Sequence, residues 1–513
     1  MKKHKARKPA VAAVIEFSSN TLRLLVGDRR DDRVHVLEFL EYPLAIGKDT
    51  FNLGKLGFDK VNKACLIIKG YLETAACYGV GSKDIRVIAT TALREARNKG
   101  YILDQIRLKT GLDVEIMDGL EEKLHIFKTA LRTLVNEDLS SALMGYVGSG
   151  SVGISIIKNG RIVYYRSVKV GPLRISELFE HAATYTQEYH VMIEEFIRAA
   201  LDVHDMPDGV RPEKLILTGG DVNIMKDLCG AENAGAAFML KKKNLEKLYN
   251  RVKYASTENI SKEYQLSLAR AEVIIPACCI LGDLFSLAGA EEALLPQAYL
   301  NESVLYCMLF PEEAAKIDKE FYKSTLLAVK ALAARYEVIE AHASLVEDFS
   351  LKIFDKIRKL HGMGARERIL LQCAAYLHDF GKFIDVKDHA RHSYNILSGL
   401  DIVGLNQRDM NVLAQICLLH SADQPDTEPY SASAAGDMAV TAKLAAILRL
   451  ADALDRGRLQ KINDLTVTAD GDELVVHVQT NRNIELEKWA FNRKSAFFGE
   501  VFGVKATLHV KAV

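Results

Sequence analysis

In the run Tyr376-Leu377-His378-Asp379-Phe380-Gly381-Lys382, an imidazole and a carboxylate stand side by side inside an apolar helical pattern. Burying such a pair without an ion is costly, so it reads as half of a metal site. His342 upstream and His392, His420 and Asp452 downstream each lie in their own apolar-periodic segment, and one helical bundle would bring them together. Nitrogen and carboxylate ligands together suit Mn, Fe, Ni, Co or Zn better than Mg alone. Lys382 follows Gly381, where it would meet a phosphate as a point charge, and Arg449, Arg456 and Arg458 flank Asp452.

The elements that must position these groups change character along the chain. From Pro311 to about Leu459 apolar helical periodicity runs almost without strand signals, which predicts a separate helical domain over 311–462. Before it the pattern is α/β and written twice. A meander of Val11–Phe17, Leu22–Gly27 and Val34–Leu40 has the turn Ser18-Ser19-Asn20-Thr21 at its first bend. A helix from Asp59 to Tyr78, the strand Ile85–Ala89 and the strand Asp113–Met117 follow, with a helix from about Gly119 to Leu134.

The second meander comprises Ala142–Val147, Val152–Lys158 and Arg161–Lys169, with Gly148-Ser149-Gly150-Ser151 at its first bend. It leads into a helix Glu188–Val203, the strand Lys214–Leu217, the turn Thr218-Gly219-Gly220-Asp221 and helices Asn244–Tyr254 and Tyr264–Leu281. We expect two lobes, 1–135 and 136–310, whose first turns face a common cleft. Short alternating strands and a helix over 463–513 predict a small α+β appendage.

Phosphate chemistry is legible at that cleft. Thr90 ends a strand and opens a helix, the position of an N-cap with a free hydroxyl, and helix N-termini bind phosphate. Gly148, Gly150, Thr90 and Arg94 would make a cradle of backbone N–H groups, a cap and a cation. Glu121 and Glu122 are candidate bases for orienting an attacking water.

Composition narrows the classes. The 513 residues exceed one core, and 67 basic against 67 acidic side chains leave no global field to draw nucleic acid. The basic run Lys2-Lys3-His4-Lys5-Ala6-Arg7-Lys8 reads as a disordered tail. Ala10–Ile15 is cut short by Glu16 before it makes a signal peptide, and no run reaches the roughly 20 apolar residues of a membrane span. Eight cysteines without a CxxC fit small core residues in a reducing, cytoplasmic setting.

The motifs now add up to a resemblance. Val87-Ile88-Ala89-Thr90-Thr91-Ala92-Leu93-Arg94-Glu95-Ala96-Arg97-Asn98 is similar to the VATSALREAxN of the exopolyphosphatase/guanosine pentaphosphate phosphohydrolase (Ppx/GppA) family. Ser19-Asn20-Thr21-Leu22-Arg23-Leu24, Gly119 with Glu121-Glu122, and Val170-Gly171-Pro172-Leu173-Arg174 resemble further motifs of that family.

The resemblance implies an α/β two-lobe actin/Hsp70-like (duplicated ribonuclease H-like) fold, an all-α HD domain and an α+β cap. It implies phosphate binding by Ser19, Asn20, Thr90, Arg94, Gly148, Gly150, Ser151, Gly219 and Gly220, and catalysis by Glu121 or Glu122, with Glu121 favoured by its place in the motif. It also implies metal binding by His342, His378, Asp379 and Asp452, with His392 and His420 matching the extra histidines of two-metal HD enzymes. A homodimer acting on polyphosphate or a phosphorylated nucleotide is the expected form.

The chain departs from the family pattern in the cleft. Glu16 stands for the first Asp and Ser18 for a Gly, while Tyr146 and Gly153 stand for the Asp and Glu of the second phosphate loop. Asp221 puts a carboxylate where the family has a hydroxyl. Mg²⁺ wants hard carboxylate oxygens, so these changes weaken the Mg²⁺ site expected there and make the helical-domain cluster the better-preserved centre. The alternative expectation is a sensor that binds its ligand without turnover.

Overall fold

The computed structural model describes residues 10–30, 33–179, 188–201, 212–421, 435–470 and 473–511. The basic run Lys2–Lys8 and most of the loop before Pro212 lie outside the described residues. The chain divides into two compact units, Met1–Phe321 and Tyr322–Val513. The helix Pro311–Arg335 carries the backbone from one to the other.

The first unit is built on two sheets. One contains β1 (Val11–Phe17), β2 (Thr21–Arg30), β3 (Arg33–Pro43), β4 (Ile85–Ala89) and β5 (Val114–Ile116) in the order β3-β2-β1-β4-β5. The other contains β6 (Ser141–Val147), β7 (Val152–Lys158), β8 (Arg161–Val168), β9 (Lys214–Thr218), β10 (Glu232–Asn233), β11 (Ala237–Lys241) and β12 (Glu292–Pro296). Its order is β10-β11-β12-β9-β6-β7-β8, so β8-β7-β6-β9-β12 repeats the first sheet strand for strand. In each repeat an antiparallel meander is extended by two parallel strands. The central strands β1 and β6 are buried along nearly their whole length, as strands covered on both faces must be.

Several elements of the second sheet escape a periodicity reading. β12 is buried on both faces after its first residue and β11 is similarly apolar, so neither carries a period of two. The expected helix Tyr264–Leu281 is broken: Gln265 adopts a left-handed conformation at φ 52° and Ser267 caps a new turn, giving helices Thr257–Tyr264, Leu268–Ala271 and Ile274–Ala288. The segment Leu268–Ala288 is apolar enough to cross a membrane, with mean hydropathy 1.8, but its long part, Ile274–Ala288, is a core helix packed on β9 and the helix Tyr189–Leu201. After β12 the helix Leu300–Leu309 returns to pack on β1, β2 and the helix Gly119–Thr133.

The second unit is helical, with the three-stranded sheet β13 (Asp464–Asp470), β14 (Glu473–Gln479) and β15 (Lys505–Lys511) near its C-terminus. The helix Glu485–Phe502 packs on that sheet and on the helix Ala435–Ala453. Arg449 is buried there with its guanidinium over the Phe497 ring, 5.1 Å from the centroid, and donates to the Leu419 carbonyl at 2.6 Å.

Two adjacent glycines at the end of β9 separate close packing from mere tolerance. Gly219 has φ 124°, and a Cβ there would stand 2.1 Å from the Val147 carbonyl oxygen, whereas one on Gly220 would meet nothing within 4 Å. We expect Gly219→Ala to cost about 2–4 kcal/mol and Gly220→Ala to stay within about 0.5 kcal/mol, measured by denaturant unfolding.

Candidate functional site

Among the described residues a group of titratable side chains converges in each unit. In the second unit three helix C-termini point at one place. His378 caps the helix Ala365–Leu377, His420 caps Gln407–Leu419, and Asp452 lies in the last turn of Ala435–Ala453. The partial negative charge of helix C-termini favours a cation where they meet. His342 comes from the first turn of the facing helix Glu340–Lys356, and Asp379 follows His378 directly. All five side chains are buried.

Hydrogen bonds define which imidazole nitrogen carries a proton. His342 Nδ1 donates to Asp455 Oδ2 at 2.9 Å, His378 Nδ1 to the Ala375 carbonyl at 2.9 Å and His420 Nδ1 to the Cys417 carbonyl at 2.6 Å. Each acceptor can only accept, so in the neutral rings every Nε2 is a lone pair. Nε2 of His342 and of His378 are buried without a hydrogen-bond partner. Asp452 Oδ1 lies 3.4 Å from the former and 3.7 Å from the latter, while Asp379 Oδ2 lies 3.7 and 3.6 Å away. Ligand atoms about 2.0–2.2 Å from a tetrahedral ion stand about 3.3–3.6 Å apart, and these four separations fall within about 0.1 Å of that range; His342, His378 and Asp452 form one group whose ligand atoms all lie within 4.8 Å of one another, and His378, Asp379 and His420 form another.

The opposite oxygen of Asp379 faces a second pair of rings. Oδ1 is 3.7 Å from His389 Nε2 and 3.9 Å from His420 Nε2. His389 Nδ1 donates to the Val386 carbonyl at 3.0 Å, so its Nε2 meets that of His420 at 3.2 Å, lone pair toward lone pair. The sequence reading named His392, but it is His389, one turn earlier, that reaches this point. Gly381 explains how: a Cβ there would stand 2.1 Å from the His389 carbonyl and 2.4 Å from Ser393 N, so glycine lets the helix His389–Ser398 pack flush. Ser393 Oγ locks the contact, accepting from Gly381 N and donating to the His378 carbonyl.

Electrostatics follow this geometry. Burial tends to lower His342, but Asp452, Asp455 and Asp379 outweigh it and push the ring up to about 9, so below that pH and without an ion its Nε2 carries a proton toward Asp452, and a bound ion takes that proton's place. Burial, then repulsion by His378, drives His420 down to about 3. Asp452, despite burial, is held well below the carboxylate range by His342 and His378. Lys382 Nζ reaches Asp379 Oδ1 at 2.7 Å, and Arg458 bonds Asp379 Oδ2. Arg449 is spent on Leu419 and Phe497, and Arg456 is exposed. The C-terminal helix buttresses the centre, for Lys494 donates to the His420 carbonyl at 2.6 Å and Glu487 accepts from Gly457 N at 3.2 Å.

In the first unit Glu16, Glu122, Tyr146 and Asp221 gather together, all four buried, with Arg23 3.8 Å from Glu16 and Arg94 3.8 Å from Glu122. Glu16 and Tyr146 hold the same penultimate position in the equivalent strands β1 and β6. Tyr146 donates to Glu122 Oε1 at 2.6 Å, and its ring lies over Gly148, where a Cβ would approach it to 2.9 Å. Burial, reinforced by Glu122, holds that phenol far above its ordinary range. Lys123, donating to Ser167 Oγ at 2.6 Å, fills the space beside Gly153. Of the paired acids it is Glu122 that lies buried here, while Glu121 is half-buried at the helix start, where its N–H donates to the cap residue Asp118.

Part of the expected phosphate cradle is taken up by the protein itself. Thr90 takes the N-cap position, but its hydroxyl donates to the Phe17 carbonyl at 3.2 Å and caps nothing. Arg94 donates to the Met117 carbonyl and Thr91 Oγ1. Gly148 and Ser151 pair their own amides across the turn, and Gly171 backs onto the Ser149-Gly150 peptide so closely that a Cβ would come within 2.4 Å. Ser19 and Asn20 give their carbonyls to Gly47 N and to Leu44 N and Ala45 N. Gly220 opens the helix Gly220–Leu228, where Asp221 is buried in the first turn.

Residues 29–311 match the family described as the Ppx/GppA phosphatase family, and residues 326–494 match Ppx/GppA phosphatase, domain III. The chain belongs to the Ppx/GppA phosphatase family. A guanosine-5'-triphosphate,3'-diphosphate pyrophosphatase of Vibrio cholerae is 23% identical over 497 residues, covering 93% of this chain and 95% of that protein. One of Pseudoalteromonas translucida is 24% identical over 421 residues, covering 80% and 81%. Among solved structures, an exopolyphosphatase from Cytophaga hutchinsonii superimposes with a TM-score of 0.53 at 22% identity, over 58% of this chain and 97% of that one. The Ppx/GppA family member of Aquifex aeolicus gives 0.50 at 19%, over 59% and 98%. Within a Ppx/GppA frame, the Tyr146 and Gly153 departures are coupled physically: the tyrosine binds Glu122, and the glycine admits Lys123.

Asp221 offers a direct readout of the first-unit cluster. Burial raises its pKa to about 6, above the unfolded value of 3.8, so its neutral form is favoured in the fold and stability is lost as pH rises from about 4 to 6. We expect Asp221→Asn to stabilise the protein by about 2 kcal/mol above pH 6, with the difference closing below about pH 4, in melts across that range.

Proposed function

We propose that the chain is a metal-dependent phosphohydrolase of the Ppx/GppA type, acting on polyphosphate or a phosphorylated guanine nucleotide, with its catalytic centre in the second unit as an HD domain. The observation that carries this is the pair of buried, unpartnered Nε2 atoms of His342 and His378 facing the carboxylates of Asp379 and Asp452. A bound Mn, Fe, Ni, Co or Zn ion would lower the pKa of its water and polarise a phosphoryl oxygen. His342, His378 and Asp452, with Asp379 beside them, would hold that ion, and Asp379 and His420, with His389 Nε2 within 3.7 Å of the same carboxylate, offer donors for a second. Asp455 and the Ala375 carbonyl keep the ligating rings in the required tautomer. Lys382 and Arg458, each about a quarter exposed at 25% and 26%, bring positive charge to the rim where an anionic substrate would arrive.

The substrate class is supported by the relatives, which include a guanosine-5'-triphosphate,3'-diphosphate pyrophosphatase and an exopolyphosphatase. The free state of all eight cysteines is consistent with a reducing, cytoplasmic setting. A second reading, a first-unit cleft that binds its ligand without turnover, is favoured by the Tyr146–Glu122 bond, which ties up the buried acid of the pair.

Phosphate release from polyphosphate and from guanosine pentaphosphate, with Mn²⁺ supplied, separates the two centres. We expect His378→Ala and Asp379→Asn each to lower turnover by about 100-fold and to abolish stoichiometric metal in elemental analysis. Glu121→Ala and Glu122→Gln should leave turnover within about threefold. Turnover that survives the first pair and is lost in the second would place catalysis in the first unit instead.

A further inference from the structure

Asp379 is over-subscribed. Its Oδ2 is bonded by Arg458 while facing His342 and His378 at 3.7 and 3.6 Å, and its Oδ1 is bonded by Lys382 while facing His389 and His420. Arg458 therefore sits on the same carboxylate oxygen that completes the four-atom set with Asp452, and Lys382 sits on the other. A divalent ion at that set would put a third cationic group on one buried carboxylate, and repulsion at such short range in a dry site expels the group with the easiest way out. Lys382 and Arg458 are equally exposed, at 25% and 26%, but only Arg458 rests on Oδ2, the oxygen an ion at that set would take, so it is Arg458 that the ion displaces toward solvent.

The turn that carries Arg458 is unusual. Arg458 has φ 54° and Gln460 φ 44°, left-handed conformations that cost a non-glycine residue about 1 kcal/mol or more. Asp455 holds the turn: its Oδ1 accepts from Gln460 N at 2.9 Å, its Oδ2 from Gln460 Nε2 at 3.0 Å, and its carbonyl from Arg458 N at 2.9 Å. The same carboxylate orients His342 through Nδ1. One side chain thus fixes both an ion-ligating ring and the backbone that presents the competing cation.

Given the metal centre proposed above, we propose that Arg458 is an exchangeable counter-ion: it holds Asp379 when the centre is free of metal, and metal binding releases it to clamp the phosphate of an incoming ligand. Arg458 suits the second task because its planar fork matches a phosphate bidentately. It is a positioning residue for the empty centre and a ligand-binding residue for the filled one.

The test uses the full chain and calorimetric titration, first with Mn²⁺ alone and then with inorganic phosphate added to the Mn²⁺-loaded protein. In Arg458→Gln we expect the Mn²⁺ dissociation constant to fall about five- to tenfold, because a competitor is gone, and the phosphate dissociation constant to rise about tenfold. Arg458→Lys, which keeps the charge without the fork, should bind Mn²⁺ within about twofold of wild type and lose part of the phosphate affinity. A merely structural Arg458 would weaken both ligands on removal, and that outcome, or unchanged Mn²⁺ binding in Arg458→Gln, overturns the exchange. Failure of the wild-type chain to bind Mn²⁺ at all would instead refute the metal centre itself.

Discussion

Lone pairs and carboxylates do not face one another in a dry interior unless something positive lies between them. Around Asp379 the protein arranges four imidazoles whose Nδ1 protons are already given to Asp455 and to the carbonyls of Ala375, Val386 and Cys417. Much of the second unit serves that arrangement. Three helix ends lend it negative potential, Gly381 allows a fourth helix to close on it, and the C-terminal helix pins the His420 carbonyl and the turn at Gly457. The α+β appendage is on this view part of the site's frame, since Arg449 joins the helix bearing Asp452 to Phe497.

The first unit applies the same physics with the opposite outcome. Its two sheets repeat one topology, and the penultimate residues of the equivalent strands, Glu16 and Tyr146, come together with Glu122 and Asp221. Here a phenol and two arginines face the acids: Tyr146 donates to Glu122, Arg94 and Arg23 lie 3.8 Å from Glu122 and Glu16, and burial raises the pKa of Glu16 and Asp221. The amides of Gly148 and Ser151 and the hydroxyl of Thr90 are given to the protein's own carbonyls. Two buried clusters of acids thus differ in what surrounds them, imidazoles in one and a phenol and two arginines in the other, and that difference underlies their separate proposed roles.

The duplicated meanders, the helical second half and the group His342, His378, Asp379, His420 and Asp452 were legible because each rests on local pattern: alternation, 3.6-residue periodicity and an acid beside a histidine. His389 was not, because His389 and His392 both lie near the start of one helix and only the depth of its packing on Gly381 decides which ring arrives. A glycine directly after His-Asp-Phe was the available signal. Asp455 was hidden for a similar reason, since an acid three residues past Asp452 looks like surface until His342 is brought to it. Thr90 misled in the other direction: its cap position is correct, but β1 ends where its carbonyl claims the hydroxyl.

By itself the sequence determined the residue types, the repeat and the order of elements, since backbone periodicity and side-chain chemistry are written locally. Tertiary structure alone decided which lone pairs share a point, which acids receive a proton and which cation rests on Asp379. Those outcomes turn on contacts between residues as far apart as Asp379 and Arg458, at distances where a few tenths of an ångström separate a ligand set from an ordinary ion pair.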